Sequence, residues 1–269
     1  MKQVFSESFF LSAGEVNAEG EMAIPLLAAK IIDIATAHAN SLGIGNPSMA
    51  HLNLGWVLSR LTIEMRRWPK ANEDYTLSTW IEDWNRHFSL RCFRIDAADG
   101  SPLGYARSVW MVMDTSTRDN AGLSHLKLPE GIIPDLECPI ARQAKHQVIV
   151  EPREGTQLPA KALAATAPAA WHTFRYCDLD YYRHVNTVRY IGLLLNQFPL
   201  SLYDRCEVAR MELNFLHEAQ YGERVKVLTA STGDSAEGDG YSLSLARRAD
   251  EREETLLYAR LFFRPRRDR

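Results

Sequence analysis

The sequence RLTIEM at residues 60–65 alternates polar and apolar side chains, and RMELNF at residues 210–215 repeats that alternation 150 positions later. Strict alternation over six residues is typical of a β-strand with one buried face. Further matches follow in the same order, FSL at 88–90 with YSL at 241–243 and YAR at 105–107 with YAR at 258–260. Because the offset stays between 150 and 153, we interpret the chain as two copies of one domain.

Each copy shows the same predicted order of elements, which is one strand, one helix and four further strands. In the first copy a strand precedes a helix over 22–41, and strands follow at 54–67, 74–82, 88–96 and 104–114. In the second copy the strand covers 170–176, the helix 186–199, and the later strands 207–217, 223–231, 240–248 and 255–264. The first helix is apolar on nearly every side, which predicts that it is buried.

Four strands that follow one buried helix favour an α+β fold in which an antiparallel sheet wraps around a long central helix. This is the hotdog architecture, here as a tandem, or double, hotdog. The predicted boundaries are an N-terminal hotdog over 1–138, a linker rich in proline and alanine over 139–168, and a C-terminal hotdog over 169–269. A pair of α+β domains with another topology stays open at this point.

Composition excludes several classes of protein. The chain has 269 residues, 46% hydrophobic and 24% charged, with a formal net charge of −3, which is ordinary for a globular protein. A balance so close to zero provides no overall attraction to nucleic acid or to an anionic membrane. The N-terminus lacks the pattern of a signal peptide, and the most apolar window, 22–39, carries too many charges to span a bilayer.

The spacing of the four cysteines indicates a reducing compartment and argues against a cysteine-bound metal. Cys92, Cys138, Cys177 and Cys206 share no C-x-x-C spacing, so we interpret them as free buried thiols of a cytoplasmic protein. The sequence also lacks an H-E-x-x-H motif, a P-loop and a complete G-x-G-x-x-G motif. We therefore expect neither a metal nor a cofactor.

The densest group of reactive side chains is DLDYYRHVN at residues 178–186, directly before the second predicted helix. His184 is a candidate general base near neutral pH, and Asp180 is a candidate for orienting its neighbours. Acidic and amide residues also cap helices for structural reasons alone, but the added histidine favours a functional site. Glu218 is the second candidate, because the first copy has Trp68 at the matching position and no histidine before its helix.

The sequence DLDYYRHVNTVRYI at residues 178–191 resembles the Asp-Leu-Asp-x-Asn-x-His-Val-Asn-Asn-x-x-Tyr-Ile signature of the acyl-acyl-carrier-protein thioesterases, a plant and bacterial family with a double hotdog fold. NLGWVLSR at 53–60 resembles the Asn-Leu-x-Trp-Val-x-x-Arg strand of the same family. The residues around Thr79–Trp80 and Trp110 also fall where the family has characteristic strands. The resemblance thus covers most of the chain, in order, in both halves.

This resemblance implies that the protein hydrolyses fatty acyl thioesters on acyl carrier protein in fatty acid biosynthesis, and so acts in lipid metabolism. The catalytic Asp, His and Glu of the family fall on Asp180, His184 and Glu218. The catalytic Asn of the family falls on Tyr182, which is a departure, because a phenol is much bulkier than an amide. Plant members have a cysteine where this chain has Ala219, so a cysteine nucleophile at that position is excluded.

The mechanistic hypothesis is that Glu218 and His184 activate a water molecule that attacks the thioester carbonyl. The backbone N–H groups of Val185 and Asn186 are predicted to stabilise the oxyanion. The acyl chain is expected in the N-terminal hotdog, with Trp56 and Arg60 contacting the substrate. A small basic group is predicted to contact the acidic carrier protein and consists of Arg66, Arg67 and Lys70.

Three other functions stay open at the level of sequence. They are an acyl-CoA thioesterase on the same fold, a hotdog dehydratase acting on 3-hydroxyacyl thioesters, and a non-catalytic module that binds an acyl group or its carrier. Two hotdogs in one chain already form a pseudo-dimer, so both a monomer and a homodimer are allowed. No nucleic acid or membrane is expected as a partner.

Overall fold

The computed structural model describes residues 2–143, 171–235, 238–249 and 252–266. The chain divides into two compact units, Met1–Gln143 and Ala144–Arg269. Among the described residues, no helix combines the length and the hydropathy that a bilayer crossing requires.

The first unit consists of an antiparallel sheet and one long helix that packs against it. Its elements are β1 Phe5–Phe10, α1 Ile24–Ser41, α2 Asn46–Met49, β2 Leu54–Met65, β3 Asp74–Trp84, β4 Ser89–Ala97 and β5 Pro102–Asp114. The strands pair in the order β1-β3-β4-β5-β2, and α1 packs on β1 and β3. The buried side of α1 consists of Ile24, Leu27, Ala28, Ile31, Ile34, Ala35, His38 and Ala39.

The described part of the second unit repeats this arrangement. Its elements are β6 His172–Thr173, α3 Thr187–Leu195, α4 Leu200–Tyr203, β7 Cys206–Phe215, β8 Arg224–Ser235, β9 Gly238–Ala249 and β10 Arg252–Pro265. The strands pair in the order β6-β8-β9-β10-β7. Each strand thus takes the place of its counterpart in the first unit, which confirms the predicted duplication. The predicted long strands are all present, with ends that differ by at most four residues.

The two helices are shorter than predicted, for local reasons. Helix α1 begins at Ile24 rather than at residue 22, because Ala23 is extended and the N–H of Met22 donates to the carbonyl of Pro69 at 2.8 Å. Helix α3 ends at Leu195 rather than at residue 199. Pro199 cannot donate a helical hydrogen bond and disfavours helical geometry in the residue before it.

The strand predicted at 170–176 contains only two paired residues, His172 and Thr173, among those described. The chain turns away at Arg175, whose N–H donates to the side chain of Asp178 at 2.7 Å. This bond begins a short 3₁₀ turn over Tyr176–Asp178. The turn leads directly into the loop before α3.

The first unit extends past residue 138, into the segment that was predicted as linker. Ile140 is buried, and its carbonyl and that of Cys138 both accept hydrogen bonds from the guanidinium of Arg107. Residues 139–143 therefore belong to the first unit. The rest of the predicted linker lies outside the described residues.

The prediction of buried thiols is correct for two of the four cysteines. Cys92 and Cys138 are buried in the first unit. Cys177 is exposed and Cys206 is only partly buried, so the prediction is wrong for these two. The physical reason is position, since Cys177 lies in the 3₁₀ turn before α3 and Cys206 is the first residue of β7.

A chain of buried polar groups lies at the C-terminal end of α1. The guanidinium of Arg91 donates to Nδ1 of His38 at 2.8 Å, so Nε2 carries the proton and donates to the carbonyl of Lys2 at 3.1 Å. His38 is fully buried, and Arg91 forms no ion pair with any described residue. Burial, and secondarily the charge of Arg91, lowers the pKa of His38 to about 4.

This histidine makes the stability of the fold dependent on pH. Unfolding returns the pKa of His38 to its ordinary value of 6.5, so the unfolded chain binds the extra proton first as the pH falls. Stability is therefore lost between pH 6.5 and 4, and His38 accounts for about 2–3 kcal/mol of the loss between pH 7 and 4.5. In His38→Asn, whose amide oxygen can accept from Arg91 without titrating, we expect urea unfolding to show a correspondingly smaller loss. An equal loss in both proteins would contradict this role.

Candidate active site

The loop before α3 is shaped by the side chain of Asp180. Its Oδ1 accepts the N–H groups of Tyr182 at 2.9 Å and His184 at 3.1 Å. The N–H of Asp180 donates to the carbonyl of His184 at 2.8 Å, and the N–H of Arg183 donates to the carbonyl of Asp180 at 3.0 Å. These four hydrogen bonds close the loop and fix the backbone that carries His184.

The first unit contains the same loop with different side chains. There Oδ1 of Asn17 accepts the N–H groups of Glu19 at 3.1 Å and Glu21 at 2.9 Å. Gly20 has a φ of +74°, and its counterpart in the second unit, Arg183, has a φ of +69°. The loop is therefore a shared scaffold, and in both units one side-chain oxygen accepts hydrogen bonds from two backbone N–H groups of the loop.

His184 and Glu218 face each other in the second unit. Nε2 of His184 lies 3.5 Å from Oε2 of Glu218, and the two side chains are 18% and 36% exposed. The loop is joined to the segment after β7 by the N–H of Val185, which donates to the carbonyl of Ala219 at 2.8 Å. The structure thus brings together two groups that are 34 positions apart in sequence and leaves them accessible to water.

The corresponding positions of the first unit carry no such pair. The same backbone register places Glu21 at the position of His184, and the buried Trp68 at the position of Glu218. The predicted equivalence of Trp68 and Glu218 is thereby confirmed. The second unit alone has a histidine and a carboxylate at these two positions.

Tyr182 contacts its neighbour Tyr181. The two ring centroids lie 3.9 Å apart with the ring planes inclined at 37°, and Tyr182 is 48% exposed. Its hydroxyl forms no hydrogen bond with any described residue. These observations do not test the catalytic role of this position, so that assignment stays a prediction.

The predicted oxyanion donors are contradicted by the hydrogen bonding of the loop. The N–H of Val185 is bonded to Ala219, and the N–H of Asn186 donates to the carbonyl of Asp178 at 2.8 Å. Both groups are used by the scaffold and cannot also receive a developing oxyanion. The next amide, that of Thr187, has no acceptor among the described residues and begins α3, where the helix dipole favours negative charge.

Two residues that hold the Glu218 segment were missed by the sequence analysis. The hydroxyl of the buried Tyr190 accepts the N–H of Ala219 at 2.9 Å, and burial raises the pKa of this phenol to about 12. Arg247 donates to the carbonyl of Glu218 at 3.2 Å and forms an ion pair with Glu223 at 2.8 Å. Tyr190 belongs to the quoted signature, whereas no local pattern marks Arg247.

Tyr190→Phe is expected to cost about 1–3 kcal/mol of stability, because the buried N–H of Ala219 loses its acceptor. We expect the change also to lower kcat, since the adjacent Glu218 loses its support. Tyr203→Phe is the matched control, because it removes a hydroxyl that donates to the carbonyl of Leu195 at 2.7 Å, in the same unit. Both variants should unfold at lower urea concentration. Equal kcat values for the two would show that Tyr190 has only a structural role.

The predicted substrate contacts of the first unit lie on β2. The indole of Trp56 donates to the carbonyl of Ile44 at 2.8 Å and packs edge-to-face against Trp84. Burial lowers the pKa of Arg60, whose Nε has no partner among the described residues. These observations do not test substrate contact, so both assignments stay predictions.

The predicted carrier-binding group is partly neutralised within the first unit. Arg67 forms an ion pair with Glu73 at 2.8 Å, and the backbone N–H of Lys70 donates to the same carboxylate at 3.1 Å. The guanidinium carbon of Arg66 lies 6.0 Å from the centroid of the Tyr105 ring. Contact with a carrier stays a prediction for all three.

The two units share one topology, and among the described residues the second unit pairs a histidine with a glutamate beside its helix. These features define a double-hotdog protein with a hydrolase-type site in its second unit. The sequence profile of the acyl-ACP thioesterase N-terminal domain matches residues 2–124, and that of the C-terminal domain matches residues 165–262. The chain therefore belongs to the acyl-ACP thioesterase family.

Similar proteins agree with this membership. The chain is 26% identical over 237 residues to a chloroplastic palmitoyl-acyl carrier protein thioesterase of Arabidopsis thaliana, a match that covers 86% of this chain and 56% of the relative. It thus spans little more than half the length of that plant protein. An acyl-ACP thioesterase of Bacteroides thetaiotaomicron has a solved structure with a TM-score of 0.82 and 26% identity, covering 97% of this chain and 98% of that one. The 12:0-ACP thioesterase of Umbellularia californica, 21% identical with a TM-score of 0.73, shares the fold over 98% of this chain and 95% of its own.

Proposed function

We propose that this protein hydrolyses fatty acyl thioesters carried on acyl carrier protein and releases free fatty acids. The observation that carries the proposal is the 3.5 Å approach of His184 and Glu218 in a chain of this family. Both side chains are partly exposed, so a water molecule and a thioester can reach them. Relatives over most of the chain are named as thioesterases of palmitoyl- and oleoyl-acyl carrier protein.

The pair can act as a general base. A water molecule bound between His184 and Glu218 gives up a proton to the pair as its oxygen attacks the thioester carbonyl. The tetrahedral intermediate collapses when the carbon–sulfur bond breaks and the thiolate takes up the proton. The products are a carboxylic acid and the free thiol of the carrier. The amide of Thr187 is the proposed oxyanion donor, because the amides of Val185 and Asn186 are already bonded.

The first unit is proposed to hold the acyl chain. Its counterparts of the reacting pair are Glu21 and Trp68, so this unit lacks the reacting pair of the second. Trp56 packs against an apolar cluster that consists of Ala39, Leu42, Ile44, Ile81 and Ile132. An apolar lining of this kind suits an alkyl chain.

The deciding experiment measures fatty acid release from acyl carrier protein thioesters of increasing chain length, beside the matching CoA esters. We expect release with a clear optimum of chain length and a preference for the carrier protein. Equal turnover of the CoA esters would favour an acyl-CoA thioesterase instead. Carrier binding without release would favour a non-catalytic binding module, an alternative motivated by Tyr182 at the position of the family's asparagine.

A further inference from the structure

The residue directly before His184 has a backbone conformation that arginine rarely adopts. Arg183 has a φ of +69°, in the left-handed region where a Cβ atom is unfavourable. The first unit has Gly20 at the same point of the same loop, with a φ of +74°. The scaffold thus accommodates glycine here, and the second unit retains a strained arginine beside its reacting pair. Strain of this kind is concentrated at functional sites.

The side chain of Arg183 is available to a ligand. The residue is exposed and forms no ion pair or side-chain hydrogen bond with any described residue. Arg247, in the same unit, shows the contrast, because its guanidinium is bonded to Glu223 and Glu254. The loop therefore presents one uncompensated positive charge next to His184.

Two exposed aromatic rings form a surface in the same turn as this charge. The ring centroids of Tyr181 and Tyr182 lie 3.9 Å apart with their planes inclined at 37°, and the two residues are 74% and 48% exposed. Large exposed aromatic side chains next to a reacting group mark a binding surface. The surface and the charge belong to the same closed turn, so they are presented together.

We propose that Arg183 binds the phosphate of the phosphopantetheine arm that carries the acyl group, while the rings of Tyr181 and Tyr182 contact the methyl and amide groups of the arm. The proposal rests on the proposed function, since it concerns the carrier end of the same substrate. A guanidinium matches a phosphate with two parallel hydrogen bonds. An extended arm that lies across the two rings keeps its phosphate away from the thioester, so Arg183 can hold one end while His184 acts on the other.

The test compares two substrates that differ only in the phosphate, an acyl-pantetheine and the matching acyl-4′-phosphopantetheine. In Arg183→Gly we expect KM for the phosphorylated substrate to rise about tenfold, with kcat unchanged, as befits the loss of one charge-assisted contact. KM for acyl-pantetheine should not change. The same rise is expected with acyl carrier protein and CoA esters, because both carriers contain the phosphate. Arg183→Lys should restore only part of the affinity, because the ammonium keeps the charge but cannot form the two parallel hydrogen bonds.

Glycine is the informative replacement because the first unit already shows the loop with glycine at this position. Urea unfolding of Arg183→Gly should therefore show a stability at least equal to that of the unchanged protein, because glycine relieves the strain at this φ and this relief offsets its greater freedom in the unfolded chain. Arg118→Gly is the conformational control, because it removes an arginine with a φ of +66° from the turn after β5 in the first unit. It should leave KM unchanged for both substrates.

Calorimetry with free 4′-phosphopantetheine and free pantetheine provides a second measurement that needs no catalysis. We expect Arg183→Gly to weaken binding of the phosphorylated compound alone. Equal changes for both compounds, or no change for either, would overturn the assignment of Arg183. A rise in KM confined to acyl carrier protein would also overturn it and would place Arg183 against acidic side chains of the carrier. If the unchanged protein hydrolyses no thioester but binds phosphopantetheine through Arg183, the proposed function fails and this inference stands.

Discussion

Glu218→Gln is expected to lower kcat/KM for acyl thioesters by about 10²–10⁴-fold, the range associated with a group that transfers a proton in the transition state. The amide keeps the size of the side chain but cannot accept the proton that the attacking water gives up. Because Glu218 is 36% exposed and lies in the segment after β7, we expect little change in stability. Fatty acid release at saturating and limiting substrate, together with urea unfolding, measures both effects.

Glu253→Gln provides a control with the same chemical change in the same unit. Glu253 on β10 is exposed and forms an ion pair with Lys226 on β8, across the intervening strand β9. Exposed pairs of this kind contribute little to stability, so the control should retain its full rate. A folded Glu218→Gln variant that is impaired by less than about tenfold would remove Glu218 from the proposed mechanism.

Asp180→Ala is expected to lower the rate by about 100-fold or more, because the loop that positions His184 loses its acceptor and small displacements of a reacting group cost that much. Asp180→Asn should lose less than about tenfold, since Oδ1 of an amide can accept the same two N–H groups. The first unit shows this directly, with Asn17 accepting two N–H groups in the matching loop. The comparison of kcat values for the two variants measures the difference.

The pair of Asp180 variants also separates two roles for this carboxylate. If the negative charge of Asp180 acts on His184, Asp180→Asn will be as impaired as Asp180→Ala, and the backbone hydrogen bonds alone will not account for the effect. If the backbone hydrogen bonds are the main role, Asp180→Asn will keep most of the rate and Asp180→Ala will not. The matched loops of the two units favour the second outcome.

The sequence was a good guide to the architecture because the patterns that specify it are local. Alternation of polar and apolar residues in β2 and β7 marks half-buried strands wherever they occur, and a constant offset between such strands reveals a duplication. The ends of elements were less predictable. Helix α1 begins two residues later than predicted, where the N–H of Met22 donates to the carbonyl of Pro69. The residues around Met22 do not indicate this long-range hydrogen bond.

The site was only partly predictable, for a related reason. Residue type and resemblance marked Asp180, His184 and Glu218, and the structure brings the last two together. Sequence could not show that the amide of Val185 is already bonded to Ala219, so the predicted oxyanion donors were wrong. It also could not show that the ring of Tyr182 contacts that of Tyr181.

The sequence alone specified the duplication, the order of strands and helices, and the chemical types of the reacting groups, because each of these can be recognised from residue types and short patterns along the chain. The tertiary structure alone decided which of those groups meet and which backbone amides are still free. Tyr190 supports Ala219 from 29 positions away, and Arg247 on β9 holds the carbonyl of Glu218. Hydrogen bonds of this kind depend on how the strands and the helix pack, so they are determined only when the whole unit has folded.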